Sequence, residues 1–296
     1  MAKGGIIVRK YIILVLIVFL FTGCSKNENE PLYYGQDPPG LIPEIFARGI
    51  ISLDSDLQFA CTFSPDGKEI IYTSRANKTE APVIMTSKQV DGVWSTPAPF
   101  SALQNVTAIE PHLTSDGKTL YFGAQLTTDG IASTDAEFGI WTLSKIDEEW
   151  TNLAYINDGM FVSTTLDGSI YMTDVVRNKG IVKVPFDGKE FKKFERLDGG
   201  PNQPINGIHP CISPDESFLI YDCDRSDGYG GEGDLYVSFR NEEGAWGEGF
   251  NLGPDVNSDG VEFAASLSPD GKYLFFMKDF HLYWVSLDII EPFRSK

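Results

Sequence analysis

The sequence predicts an all-β fold: a β-propeller of five blades, each of four antiparallel strands, with the ring closed by an N-terminal strand in the last blade. Three observations predict it. A short turn recurs along the chain as SPDGK at Asp66, TSDGK at Asp116, TLDGS at Asp167, SPDES at Asp215 and SPDGK at Asp270. The aspartates are 50, 51, 48 and 55 residues apart, a period that marks an array of like supersecondary units. The last unit stops short of its fourth strand, whereas a strand-like segment precedes the first unit.

Each unit justifies its strands in the same order. An apolar-alternating stretch leads into the Asp-Gly turn, and a β-rich run follows it, such as Glu69 to Ser74, Thr119 to Ala124 or Tyr273 to Lys278. Two such runs joined by Asp-Gly make a hairpin. A third run reads APVIMTS, FGIWTLS, GIVKVPF, GDLYVSF and HLYWVSL in turn, and a short fourth opens on an aromatic, as in WSTPAPF from Trp94 and WGEGFNL from Trp246. Four antiparallel strands in about 50 residues are a propeller blade.

The turn residues have structural reasons for their identity. Proline sets φ, the aspartate accepts from nearby backbone N–H groups, and glycine takes a positive φ. At Asp215 the next residue is Glu216 instead of glycine, so this hairpin is expected to be strained or to use another turn.

The N-terminal PEIFARGIISLDSDLQFACTFSPDG aligns with the later EGFNLGPDVNSDGVEFAASLSPDG. Residues Ile45 to Ser52 are therefore expected to supply the missing fourth strand, pairing with His281 to Leu287 and removing the exposed edges of an open array. Five turns imply five blades; six remain the alternative if one blade has lost its turn.

Ahead of the propeller, Lys3, Arg9 and Lys10 precede an apolar run from Tyr11 to Phe21, the layout of a signal peptide. The run ends at Phe21-Thr22-Gly23-Cys24, which resembles a bacterial lipobox, with Phe21 in the place usually held by leucine. That resemblance implies cleavage before Cys24 and lipidation of its sulfur. The following SKNENEPLYYGQDPPGLIP is polar and proline-rich and reads as a tether. Its start, Ser25 to Glu30, resembles the acidic export signals of Bacteroidetes surface lipoproteins, with a plain solvated spacer as the other reading. The expected organisation is a signal peptide over 1–23, a lipidated tether over 24–43, the propeller over 44–290 and a C-terminal tail over 291–296.

The chain carries a formal charge of −18, and loss of Lys3, Arg9 and Lys10 with the signal peptide takes it to −21. Nucleic acid is excluded as a partner on this ground, and attachment to a membrane would depend on the lipid. The remaining cysteines, Cys61, Cys211 and Cys223, are odd in number, and Cys211 and Cys223 are out of register on the two arms of one hairpin, so all three read as small buried hydrophobes.

Chemistry is sought on the innermost strand of each blade, which precedes its Asp turn. Simple alternation gives one row of core residues and one row facing the central channel. The larger polar members of the channel row are Gln58, Glu110, His112, His209 and Glu262, the candidate binding residues. They could equally hold the blades together. His112, His209 and Glu110 are the residue types that bind transition metals, but blade spacing establishes no ligand geometry. The loop DCDRSDGYGGEGD, Asp222 to Asp234, opens like a calcium loop. It has Asp227 where an EF-hand needs glycine and Gly233 in place of the bidentate glutamate, leaving at most an irregular divalent-cation site. No cofactor is otherwise expected.

The repeats resemble the Ser-Pro-Asp-Gly, WD-like propeller repeats of TolB-type proteins and bacterial envelope lipoproteins, above all in NLGPDVNSDGVEFAASLSPDGKYLFF and GYGGEGDLYVSF, over roughly Pro43 to Ile290. The resemblance implies a fold and no particular activity. TolB-type proteins also carry an α/β domain ahead of the propeller, which is not expected here. No catalytic residue is assigned, since the sequence holds no G-x-S-x-G elbow, H-E-x-x-H helix or P-loop. The expectation is a lipid-anchored outer-membrane module, facing the periplasm or the cell surface, that binds an envelope protein or glycan. The alternative is a glycan-active enzyme using channel carboxylates such as Asp56, Glu110, Asp158 and Glu262.

Overall fold

The computed structural model describes Met1 and residues 33 to 294, apart from 128, 129, 132, 134 and 232. The chain divides into Met1–Glu30 and Pro31–Lys296, and the propeller is the second unit. The expected signal peptide, Cys24 and the first part of the tether lie outside the described residues. Among the described residues no helix is long and apolar enough to cross a membrane.

Five antiparallel sheets form the ring. Strand β1 (Glu44–Ile45) belongs to the last sheet; blade 1 holds β2 (Leu57–Phe63), β3 (Glu69–Arg75) and β4 (Val83–Val90), with β5 (Val93–Trp94) and β6 (Ala98–Pro99) sharing its outer edge. Blade 2 is β7 (Ala108–Leu113), β8 (Thr119–Gln125), β9 (Phe138–Ile146) and β10 (Glu149–Asp158). Blade 3 is β11 (Met160–Thr164), β12 (Ile170–Asp174), β13 (Gly180–Val184) and β14 (Glu195–Arg196). Blade 4 is β15 (Ile208–Ile212), β16 (Phe218–Cys223), β17 (Asp234–Phe239) and β18 (Phe250–Asn251). Blade 5 is β19 (Glu262–Leu267), β20 (Tyr273–Lys278), β21 (His281–Ser286) and the N-terminal β1.

The first hairpin of every blade turns on its aspartate as expected. Asp66 Oδ1 accepts from the Lys68 N–H at 3.1 Å, Asp116 from Lys118 at 3.0 Å, Asp167 from Ser169 at 2.9 Å, Asp215 from Ser217 at 3.0 Å and Asp270 from Lys272 at 3.2 Å. Gly67, Gly117, Gly168 and Gly271 take φ between 69° and 86°, and Glu216 takes 60° at the equivalent place. Blade 4 thus keeps the same turn, with a glutamate in the left-handed region. What offsets that strain is the Glu216 carboxylate, which is bound by Lys183 Nζ (2.5 Å), Tyr171 OH (2.6 Å) and Arg240 Nη1 (2.8 Å).

Apolar side chains fill the space between blades. One buried cluster lies at each of the five interfaces, for example Ile71 and Ile84 against Leu113, Leu120 and Phe122 between blades 1 and 2. Cys61, Cys211 and Cys223 are free and buried within these clusters, and burial pushes each thiol up to about 12.

Ring closure occurs, by a shorter strand than expected. Glu44 pairs with Trp284 and Ile45 with Tyr283, and the Phe46 N–H reaches Leu282 O at 2.8 Å. Ala47 then turns at φ 44°, so the expected strand to Ser52 ends after two residues. Ser52 replaces the lost ladder by bonding both the Leu282 N–H and C=O through its hydroxyl. Phe46 and Ile51 are buried and Ile50 is exposed.

Both expected terminal boundaries shift. Tyr33, assigned to the tether, is buried, with its ring 5.2 Å from Trp284, 5.5 Å from Tyr273 and 5.6 Å from Phe63. The Gln36 side chain bonds Ile45 O and the Ala47 N–H. The propeller therefore begins by Tyr33, because an aromatic at that point completes the blade 5 to blade 1 interface. At the other end, Phe293 stacks on Phe250 and the Arg294 guanidinium lies over Phe239, so residues 291 to 294 pack on blade 4.

Candidate functional site

The innermost strands β2, β7, β11, β15 and β19 share one irregularity. Six residues before the turn aspartate, Ala60, Glu110, Phe161, His209 and Ala264 all have φ between 46° and 58°, and the pairing register skips one residue at each. These are five equivalent β-bulges, each with two residues opposite one on the neighbouring strand. The bulge brings the preceding residue to the channel side as well, so Phe59, Ile109 and Phe263 join Ala60, Phe161 and Ala264 in an axial plug.

This corrects the alternation expected for the inner strands. Beyond the bulge the faces exchange, and Gln58 and Glu262 leave the channel row. The Gln58 carboxamide oxygen accepts from the Leu53 N–H at 3.2 Å. The Glu262 carboxylate accepts from Ser258 Oγ (2.5 Å) and N–H (3.0 Å), with Lys278 Nζ at 3.7 Å, and burial raises its pKa. Each serves the segment leading into its own blade.

Glu110 and His209 do meet near the axis, in a buried cluster completed by Asp222. His209 Nδ1 lies 2.9 Å from Asp222 Oδ1, and its Nε2 is 3.6 Å from Glu110 Oε1. Burial alone would favour a neutral imidazole, yet contact with Asp222 and then Glu110 prevails and raises His209 to about 10. Burial raises Asp222 too, so the pair holds a proton across the neutral range.

The carboxylates also satisfy the bulges. A left-handed bulge turns its N–H out of the ladder, and a buried N–H without an acceptor costs about 1–3 kcal/mol. Thr73 Oγ1 accepts from the Glu110 N–H (2.9 Å), Thr173 Oγ1 from His209 (3.1 Å) and Asp222 Oδ1 from Ala264 (3.4 Å), each from the preceding blade. Blade 2 has Gly123 at this place, opposite Ile109, and there Glu110 Oε2 accepts from the Phe161 N–H at 3.1 Å. Asp222, read from the sequence as the start of a cation loop, therefore points inward. Its signal was a carboxylate in an otherwise apolar strand, at the register position of Thr73 and Thr173. Two further carboxylates of that loop have protein donors: Asp227 pairs with Arg225, and Asp234 Oδ2 takes the Tyr229 N–H and Asn251.

His112 lies nearer the turns. With Thr62, Ser163, Cys211 and Ser266 it lines a cavity of about 210 Å³, floored by Ala60 and Phe161 and opening among Pro65, Pro214 and Pro269. His112 Nε2 is 2.8 Å from Thr164 Oγ1, and burial lowers its pKa to about 4. Thr62 and Ser163 accept the N–H groups of Leu113 and Ile212 across the blade interfaces. The cavity wall is neutral at physiological pH.

The four acids considered for catalysis are not assembled. Asp56 accepts from the Asn77 N–H, Asp158 is held by Tyr155 and Arg177, and Glu110 and Glu262 are committed as described. Asp56 instead lines a groove of about 810 Å³ between the N-terminal segment and blade 1, which also holds Tyr34, Tyr72, Gln89 and Trp94. Sequence reasoning passed over this groove because its residues come from the presumed tether and an outer strand.

The fold and these sites define a five-bladed β-propeller in which the axial Glu110, His209 and Asp222 contact one another and the bulge N–H groups. No protein-family model matches the sequence, and no curated protein matches it. Structural neighbours include TolB from Acinetobacter baumannii, 15% identical with a TM-score of 0.47, covering 77% of this chain and 54% of that one. The chain thus spans about half the length of that TolB structure. A gluconolactonase from Xanthomonas campestris is 10% identical with a TM-score of 0.48, covering 84% and 94%. A thermostable family-43 glycoside hydrolase is 11% identical with a TM-score of 0.45, covering 80% and 90%. Likenesses at this level carry no activity over to the chain.

Proposed function

We propose that this chain is a lipid-anchored, non-catalytic module of the bacterial envelope, held to the outer membrane through Cys24, which binds a protein or glycan partner. The observation that supports this most is the state of the channel. Its acids and its protonated histidine lie behind Phe59, Phe161 and Phe263 and are used up in holding bulges and blades together. A glycosidase needs two carboxylates flanking a solvent-reached bond, about 5 to 10 Å apart according to its stereochemistry. Glu110 and Asp222 flank a histidine instead. The reading requires no cofactor, and the net negative charge argues against nucleic acid as the partner.

The test is a screen of the purified protein against envelope and plant polysaccharides for release of reducing ends or unsaturated products. No turnover is expected. Turnover that disappears in Glu110→Gln while the variant keeps its melting temperature overturns the binding-only reading in favour of channel chemistry.

A further inference from the structure

We infer that the groove on blade 1 is a saccharide-binding site for a neutral oligosaccharide, with the stacked Tyr34 and Trp94 rings as its platform. This rests on the binding-module reading and names the ligand class and the site.

The rings of Tyr34 and Trp94 lie 4.4 Å apart with 20° between their planes. Both line the groove and both are only half-buried. Stacked face to face, the two rings cover each other's inner faces, and an outer face of the pair offers a flat apolar surface, which suits the axial C–H face of a pyranose ring, while the hydroxyls of that ring need hydrogen bonds at its edge. The groove provides them. Gln89 belongs to the lining, and its Nε2 is buried with no partner among the described residues, a donor whose unmet bond costs free energy until an acceptor arrives. The Asp56 carboxylate and the Ser74 hydroxyl lie in the same lining. Asp56 Oδ1 is taken by the Asn77 N–H and the Ser55 hydroxyl, and Oδ2 has no partner among the described residues.

Charge selects among ligand classes. Asp56 is the one ionisable acid in the lining and no Lys, Arg or His joins it, so anionic headgroups, phosphates and uronic acids meet repulsion and no counter-charge. The groove is within the size range of small-molecule sites. A neutral polyol is the ligand that uses the aromatic surface, the unpaired amide and the carboxylate together.

The test uses full-length mature protein labelled with 5-fluorotryptophan. Its five tryptophans give separate fluorine resonances, and the Trp94 resonance is assigned through Trp94→Phe. Linear neutral gluco-, manno-, xylo- and galacto-oligosaccharides are titrated to millimolar concentration. At least one series is expected to shift the Trp94 resonance saturably while leaving Trp284 unmoved. Gln89→Ala is expected to weaken that binding at least tenfold without changing the melting temperature, and Tyr34→Ala to abolish it. The inference is overturned if no neutral saccharide moves Trp94, if Gln89→Ala binds as well as wild type, or if only an acidic saccharide or an apolar peptide produces the shift. Any of those outcomes leaves the non-catalytic reading standing, since that reading fails only by turnover dependent on Glu110.

Discussion

The Glu110 carboxylate accepts the backbone N–H of Phe161 at 3.1 Å, across the interface between blades 2 and 3. It does the work that Thr73, Thr173 and Asp222 do for the bulges at Glu110, His209 and Ala264, and the reason for the exchange is steric. A Cβ on Gly123 would stand 2.5 Å from the Phe138 ring, so blade 2 carries no side chain there and its own bulge residue supplies the acceptor. The same carboxylate faces His209, which makes one side chain responsible for a bulge and for a buried charge.

Removing Glu110 therefore has two costs. Glu110→Ala is expected to lower the unfolding free energy by about 3–5 kcal/mol, the range for breaking a buried charge pair. Glu110→Gln keeps an oxygen for the Phe161 N–H and should lose only about 1–3 kcal/mol. Thr73→Val and Thr173→Val, each orphaning one bulge N–H, should fall in that smaller range. Urea denaturation measures all four, and equal losses for Glu110→Ala and Glu110→Gln would remove the charge role assigned to Glu110.

The two axial histidines give stability opposite pH dependences. His209 is raised from 6.5 to about 10 on folding, so its contribution is fully present below pH 6.5 and is lost as pH rises through about 10. His112 is lowered to about 4 by burial; below pH 6.5 the unfolded chain takes up a proton that the folded chain refuses, and stability falls as pH drops towards 4. Denaturation free energies from pH 4 to pH 10 should show both limbs. His209→Gln combined with Asp222→Asn should flatten the alkaline limb, and His112→Gln the decline between pH 6.5 and 4. A variant whose limb keeps its slope refutes the assignment for that residue.

Much of the architecture was readable because the blade turn is local chemistry. Asp-Gly with a serine or threonine two residues before the aspartate sets the hairpin by itself, and its spacing counts the blades. The channel row was readable only as far as alternation held: between bulge and turn Thr62, His112, Ser163, Cys211 and Ser266 share one face, and beyond the bulge Gln58 and Glu262 leave it. The bulge left no trace in residue type: Ala60, Glu110, Phe161, His209 and Ala264 include no glycine. Four of the five give their N–H to a side chain of the preceding blade, and those contacts join residues tens of positions apart.

Tyr33 is the first residue seen to pack into the propeller. Deleting residues 25 to 30 should leave the melting temperature unchanged, whereas deleting 25 to 37 removes Tyr33 and Gln36 and should unfold the blade 5 to blade 1 closure. Tyr33→Ala alone should cost about 3–5 kcal/mol, as for other fully buried aromatics. Equal melting temperatures for the two deletions would show that the closure does not depend on Tyr33.

The proposed anchoring makes Cys24 the single point of lipid attachment. Labelled fatty acid should enter the wild-type chain and be absent from Cys24→Ser, while Cys61→Ser, Cys211→Ser and Cys223→Ser label as wild type, since those thiols are buried between blades. Label that survives Cys24→Ser rules out the lipobox.

Glu216 tests whether a strained turn residue is held by its side chain. At φ 60° a residue with a Cβ bears a backbone cost of about 1–2 kcal/mol, which glycine escapes. Against that stand its bonds to Lys183, Tyr171 and Arg240. These three groups outweigh the opposing effect of partial burial and hold the carboxyl below its ordinary range. A partly exposed pair of this kind contributes roughly 0.5–1 kcal/mol, somewhat more as a network. The two sides nearly cancel, so Glu216→Gly should change the unfolding free energy by less than about 1 kcal/mol. Glu216→Ala keeps the backbone cost and loses the network, and should destabilise by about 1–3 kcal/mol. A carboxyl lowered by folding stabilises above its ordinary pKa and loses that effect as pH falls through the lowered value. The gap between Glu216→Ala and wild type should therefore narrow under acid. If Glu216→Gly is the more damaging of the two substitutions, the left-handed turn is not strained and the network alone accounts for this glutamate.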